Sequence, residues 1–157
     1  MASTSTKQQS GFTLIELVTV LILLGILMSS LYLRGSPSTP SLNAQADQLA
    51  RTLRHAQSLS LAQGRSLTLD VQSTTNYVVS DGGATITDPQ GTVQAFTLIN
   101  GVTFTVNDND LDFDSLGRPI DATDNLIATA QTWTLSVDGS TASVRVEPLT
   151  GFVSVTP

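Results

Sequence analysis

One carboxylate, Glu16, stands inside a run from Phe12 to Leu33 that is otherwise uncharged and mostly aliphatic. A carboxylate in an apolar helix costs ~2.5–3.5 kcal/mol at a bilayer centre and less near an end, so it calls for a countercharge or for solvation. Two readings follow: a paired functional group, or a helix that begins at Leu17 and leaves Glu16 in water. A second acidic group is Asp108-Asn109-Asp110-Leu111-Asp112-Phe113-Asp114. Asp110, Asp112 and Asp114 have the one-three-five spacing of a calcium loop, with Asp121 at the twelfth position. Position six would be Ser115 rather than Gly, and the twelfth ligand Asp rather than Glu. Alternation with Leu111 and Phe113 describes a strand showing its acids to water equally well, and that reading is preferred, with no metal or cofactor expected.

His55 is the one histidine, and it falls off the apolar face of its helix beside Arg54. Serines and aspartates are plentiful, but no nucleophile elbow accompanies them. No phosphate loop, zinc spacing or catalytic carboxylate pair is present, so an enzyme is not expected. Cysteine is absent, which removes disulfides and thiolate chemistry together. The net charge is −6, from 7 Lys plus Arg against 13 Asp plus Glu, and taking away Lys7 and Glu16 leaves it unchanged. Such a surface repels phosphate backbones, so nucleic acid is not an expected partner. Arg51, Arg54 and Arg65 are the basic residues close together, and helix-surface salt bridges account for the first two.

The elements that position these groups divide at about residue 34. Leu14, Ile15, Leu17, Val18, Val20, Leu21, Ile22, Leu23, Leu24, Ile26 and Leu27 belong to a stretch close to the ~20 residues that span a hydrocarbon core. It exceeds the ~7–15 apolar residues of a secretory signal, and no Ala-x-Ala-like site follows. The predicted organisation is a leader over 1–11, a transmembrane helix over 12–33, a flexible joint over 34–40 and a soluble domain over 41–157. In that domain Leu42, Ala46, Leu49, Leu53, Ala56 and Ser60 recur every three or four residues, a helix from about Ser41 to Gln63 that Gly64 stops. Asp47 and Arg51 are spaced to pair at i and i+4.

Beyond Gly64 the period becomes two. Leu67, Leu69 and Val71, then Val102, Phe104 and Val106, then Trp133, Leu135 and Val137, then Val144 and Val146, read as half-buried strands. Asn100-Gly101 and Asp138-Gly139 are hairpin signals. The predicted fold class is α+β, an amphipathic helix packed on antiparallel sheet.

Gly11-Phe12-Thr13-Leu14-Ile15-Glu16-Leu17, followed by the apolar run, resembles the class III signal of type IV pilins and type II secretion pseudopilins. The resemblance implies cleavage between Gly11 and Phe12 by prepilin peptidase, N-methylation of Phe12, and pairing of Glu16 with the new amine, which sets register in a filament. It implies a single-pass precursor in the bacterial inner membrane with its soluble domain periplasmic, and other pilins or pseudopilins as partners. Many pilins carry a proline near the positions of Tyr32 and Leu33; here the breakers come later, from Gly35 to Pro40. Phe113-Asp-Ser-Leu-Gly117-Arg118, Trp133 to Val137, Val144 to Val146, and Thr150-Gly-Phe-Val153 are similar to the C-terminal half of the GspH/FimT group of minor pseudopilins. The expected function is thus a minor subunit of a type II secretion pseudopilus or type IV pilus-like filament. The alternative is an adhesin or DNA-uptake subunit of a type IV (mannose-sensitive haemagglutinin-type) pilus.

Overall fold

The computed structural model describes residues 13–32, 38–87, 91–105 and 110–157. Gly11, Phe12, Leu33, Val106, Asp108 and Asn109 lie outside the described residues, as do the leader and most of the expected joint. The chain divides into two units, Met1–Ser36 and Pro37–Pro157.

The first unit holds α1, Leu14–Tyr32. Thr13 caps it: its carbonyl accepts from Glu16 N at 3.1 Å and Leu17 N at 3.2 Å, and its hydroxyl accepts from Glu16 N at 3.3 Å. These bonds satisfy amides that the first turn leaves without helical partners. The helix therefore starts before Glu16, and the reading that begins it at Leu17 is set aside. Leu14, Ile15, Leu17, Val18, Val20 to Leu24, Ile26 and Leu27 are all exposed. A helix apolar on every face is built for lipid or for the interior of an assembly. Among the described residues no helix is long and apolar enough to cross a membrane, the described side chains of α1 ending at Met28.

The second unit opens with α2, Ser38–Gln63. It begins three residues before the expected Ser41, so Ser38, Thr39 and Pro40 belong to helix rather than joint. Pro40 is tolerated because the first-turn amides lack helical partners in any case. The predicted face is the buried one: Leu42, Ala46, Leu49, Leu53, Ala56 and Ser60 all point inward. At the other end Gly64, at φ 62°, lets its own amide (2.9 Å) and that of Arg65 (3.3 Å) reach Ser60 O. This left-handed cap ends the helix where the sequence places its stop.

Among the described residues ten antiparallel strands follow, in two sheets rather than one. The first contains β1 (Leu67–Asp70), β2 (Asn76–Asp81), β3 (Ala84–Thr85), β4 (Ala95–Thr97), β6 (Leu111–Phe113) and β7 (Pro119–Ile120). Its order is β3-β2-β1-β6-β7, with β4 also paired to β2. The second contains β5 (Thr103–Phe104), β8 (Gln131–Val137), β9 (Ser140–Val146) and β10 (Val153–Thr156), in the order β10-β9-β8-β5. α2 packs against β1 and β6 of the first and β8, β9 and β10 of the second. One helix face thus closes the core of both sheets.

The two hairpin signals meet different fates. Asp138-Gly139, with φ 49° and 81°, joins β8 directly to β9 in the register Val137↔Ser140. Asn100-Gly101, with φ 57° and 75°, makes the same kind of turn, Val102 N donating to Ile99 O at 3.1 Å. Its flanking strands do not pair: β4 bonds to β2, and β5 bonds to β8. This turn carries the chain from one sheet to the other. Where the sheets meet, Tyr77 stacks on Phe96 at 5.1 Å and meets the edge of Phe104 at 5.9 Å. Burial, partly offset by Thr52, pushes the Tyr77 hydroxyl up to about 12, so it stays neutral.

Candidate assembly sites

Glu16 is the third residue of α1 and its only charged side chain. Near a helix N-terminus a carboxylate gains about 0.3–1 kcal/mol from the backbone dipoles, less than the cost of holding it in an apolar medium. The other polar side chain nearby is satisfied locally, since the Thr19 hydroxyl donates to Ile15 O at 2.8 Å. Glu16 is left as a charge at the head of an apolar rod, one turn from Phe12 in sequence.

The aspartates of the calcium spacing do not converge. Asp110 Oδ1 accepts from Val71 N at 2.9 Å, and Asp112 Oδ1 accepts from the Thr68 hydroxyl. Asp114 organises the β6–β7 turn, taking Leu116 N at 2.9 Å and Arg118 N at 2.8 Å, with the Arg118 guanidinium at 2.7 Å. Partial burial works to raise the Asp114 carboxyl, but the bonds from Arg118 and Leu116 outweigh it and hold the carboxyl below its ordinary value. Asp121 is held low by the Thr123 hydroxyl and by the amides of Asn125 and Thr123. Among the described residues no three candidate ligands gather. Each carboxylate is used in folding, and β6, with Leu111 and Phe113 buried, is the strand that alternation describes.

The arginines are likewise dispersed. Arg51 Nε donates to the Asp47 carbonyl at 3.3 Å rather than to its carboxylate, which corrects the expected ion pair. Arg54 donates to Val153 O at 2.8 Å, and Arg65 pairs with Asp81. Arg145 pairs with Glu147 at 2.7 Å. His55 is exposed.

Two glutamines of α2 carry placements that the sequence reading missed. Gln45 behaves like a piece of strand: its Nε2 donates to Ile99 O at 2.9 Å, and its Oε1 accepts from Ile99 N at 2.8 Å. Gln57 Nε2 donates to Gly117 O at 2.8 Å and to Thr150 O at 3.0 Å, tying the β6–β7 and β9–β10 loops to the helix. A Cβ on Gly117 would stand 2.8 Å from Leu61 Cγ, and one on Gly151 would stand 2.4 Å from Gln57 Nε2. The Asp-Ser-Leu-Gly-Arg and Thr-Gly-Phe-Val segments are therefore the two halves of one junction. The signal in the sequence was the pair of glycines; their common partner, a polar side chain one turn past Leu53, carried none.

A profile of the prokaryotic N-terminal methylation motif matches residues 6–32, which include Gly11, Phe12 and Glu16. A profile of the type II transport protein GspH matches residues 45–150, from α2 through the junction. The crystal structure of the type IV minor pilin FimU of Pseudomonas aeruginosa is similar in fold, with a TM-score of 0.57 over 76% of this chain and 91% of that one, at 15% identity. No curated protein matches the chain. The profile match spans well over half the sequence, and the α+β fold with its glycine-loop junction agrees with it: the chain belongs to the GspH family, within the GspH/FimT group of type IV pilins and pseudopilins.

Proposed function

We propose that the chain is a minor pilin or pseudopilin, made as a single-pass inner-membrane precursor, cut between Gly11 and Phe12, methylated on Phe12, and assembled through α1 into a filament. Its work is association rather than bond making. The observation that carries this reading is Glu16, the lone charge in the first turn of a helix apolar on every face. Before cleavage no amine exists beside it. After cleavage the amine of Phe12, on its own or a neighbouring subunit, offers the countercharge that makes a buried carboxylate tolerable. Where that amine is a neighbour's, Glu16 is paired in the filament and unpaired in the free monomer, and the cost of an unpaired carboxylate in lipid favours the filament. The prepilin peptidase and methyltransferase are thus transient partners, and other pilins the lasting ones. The soluble unit would lie on the periplasmic side and then on the filament surface, serving a type II secretion pseudopilus or a type IV pilus-like machine.

Replacing Glu16 with Leu tests this directly. The variant is expected to be cut like the wild type and to remain in the membrane, with its share in sheared filaments falling at least about tenfold, a difference of ~1.4 kcal/mol. Incorporation at the wild-type level would contradict a register role for Glu16.

A further inference from the structure

The second sheet ends in two outer strands, β5 and β10. An outer strand offers a row of N–H and C=O groups to any extended chain that meets it. β5 is closed by the protein's own backbone, since Phe104 N donates to Thr74 O at 2.8 Å. β10 has no further strand beside it among the described residues. Phe152 to Thr156 is a run of mostly β-forming residues without charge, glycine or proline, the composition that adds readily to other strands.

The register of β10 fixes which of its backbone groups face outward. Glu147 N donates to Phe152 O at 2.9 Å, so Phe152 bonds toward β9. Ser154 and Thr156, opposite Arg145 and Ser143, share that parity, because an antiparallel strand turns alternate residues to alternate neighbours. Val153 and Val155 therefore direct their N–H and C=O away from β9.

At Val153 the outward carbonyl is already taken, for the Arg54 guanidinium donates to it at 2.8 Å. Val153 is 2% exposed although it stands on an outer strand, while Val155, of the same parity two residues on, is half-buried. The next residue of that parity, Pro157, has no N–H to give. A strand laid along β10 would find one outward carbonyl occupied and one donor missing. Between them Val155 offers both groups, and one residue makes no ladder.

We infer that Arg54 closes the edge of β10 against strand addition, and that the strand it keeps out is β10 of a second copy of this chain. With Arg54 withdrawn, two such edges can meet antiparallel and exchange bonds through Val153 and Val155, joining the sheets of two copies into one. The inference does not depend on the filament reading.

The test compares the purified full chain in detergent micelles with Arg54→Ala, and with Arg54→Ala combined with Val155→Pro, by sedimentation over a range of concentrations. Arg54→Ala frees the Val153 carbonyl and makes the net charge more negative than −6, which by itself increases repulsion between copies. It is nonetheless expected to self-associate at a protein concentration at least about tenfold lower than wild type. Val155→Pro removes the outward N–H in the middle of the edge, where proline is tolerated, and should return the double variant to wild-type behaviour. If Arg54→Ala associates no more than wild type, whether or not its Tm falls, the bond to Val153 is an ordinary structural one and the inference is overturned. Association that survives Val155→Pro would overturn it as well, by placing the contact away from β10.

Discussion

At the scale of single residues, the structure turns on polar side chains that address backbone. Gln57 holds two carbonyls from two loops with one amide group. Gln57→Ala removes both bonds and is expected to destabilise the soluble unit by about 1–3 kcal/mol, read by urea denaturation. Gly151 and Gly139 separate sterics from backbone strain, for both have positive φ, 65° and 81°. A Cβ at Gly151 meets Gln57, whereas one at Gly139 meets nothing within 4 Å. Alanine at 139 should cost about 1 kcal/mol, and alanine at 151 clearly more. Equal losses would show that the junction yields easily. Asp114 makes a prediction about pH: its folded pKa is depressed, so its contribution is complete above the unfolded value of ~3.9 and is lost as pH falls through the folded one. Tm measured through the acid range should fall along that limb, and Asp114→Asn should flatten it. The Gln57 bonds could not be read from the sequence, because Gly117 and Thr150 lie 60 and 93 positions away, whereas Asp114 takes partners only two to four residues on.

At the scale of elements, the legible parts were those fixed by local periodicity. Leu42 to Ser60 recur at helical spacing and line the buried face of α2; Trp133, Leu135 and Val137 alternate and are buried in β8. The Gly64 stop was legible because positive φ at a helix end is a local demand. Asn100-Gly101 makes the turn its residues predict but not the hairpin. Turn chemistry fixes the chain's reversal but not which strands pair afterwards, and here β4 and β5 part to different sheets. Asn100 also donates to Ser41 Oγ at 2.9 Å, fastening the crossover to α2. Asn100→Ala combines a strained φ with that lost bond and should cost about 1–2 kcal/mol in thermal or chemical unfolding. Leu53→Ala, in the helix face shared by both sheets, should cost about 2–5 kcal/mol. The helix α2 begins three residues before the predicted Ser41 because its first turn admits Pro40.

At the scale of the whole molecule, a sheet-and-helix unit of pilin-like fold follows a helix that is apolar on all sides. The family was legible in the sequence because its signal is contiguous, from Gly11 to Leu17, and needs no folding to be recognised. The second resemblance, scattered through Phe113 to Val153, acquires a physical meaning when Gly117 and Gly151 meet at Gln57. What the sequence could not supply is the positive φ of Leu149, 66°, which exists only in the folded chain.

The most direct test of a processed, assembling subunit is the intact mass and N-terminal sequence of the chain recovered from sheared filaments and from membranes, beside a Gly11→Val variant. The account predicts a filament form that begins at Phe12 and is one methyl group heavier than the bare polypeptide, with Gly11→Val uncut and confined to the membrane. A chain that keeps Met1, or its initiator-processed equivalent, and never enters filaments would contradict it.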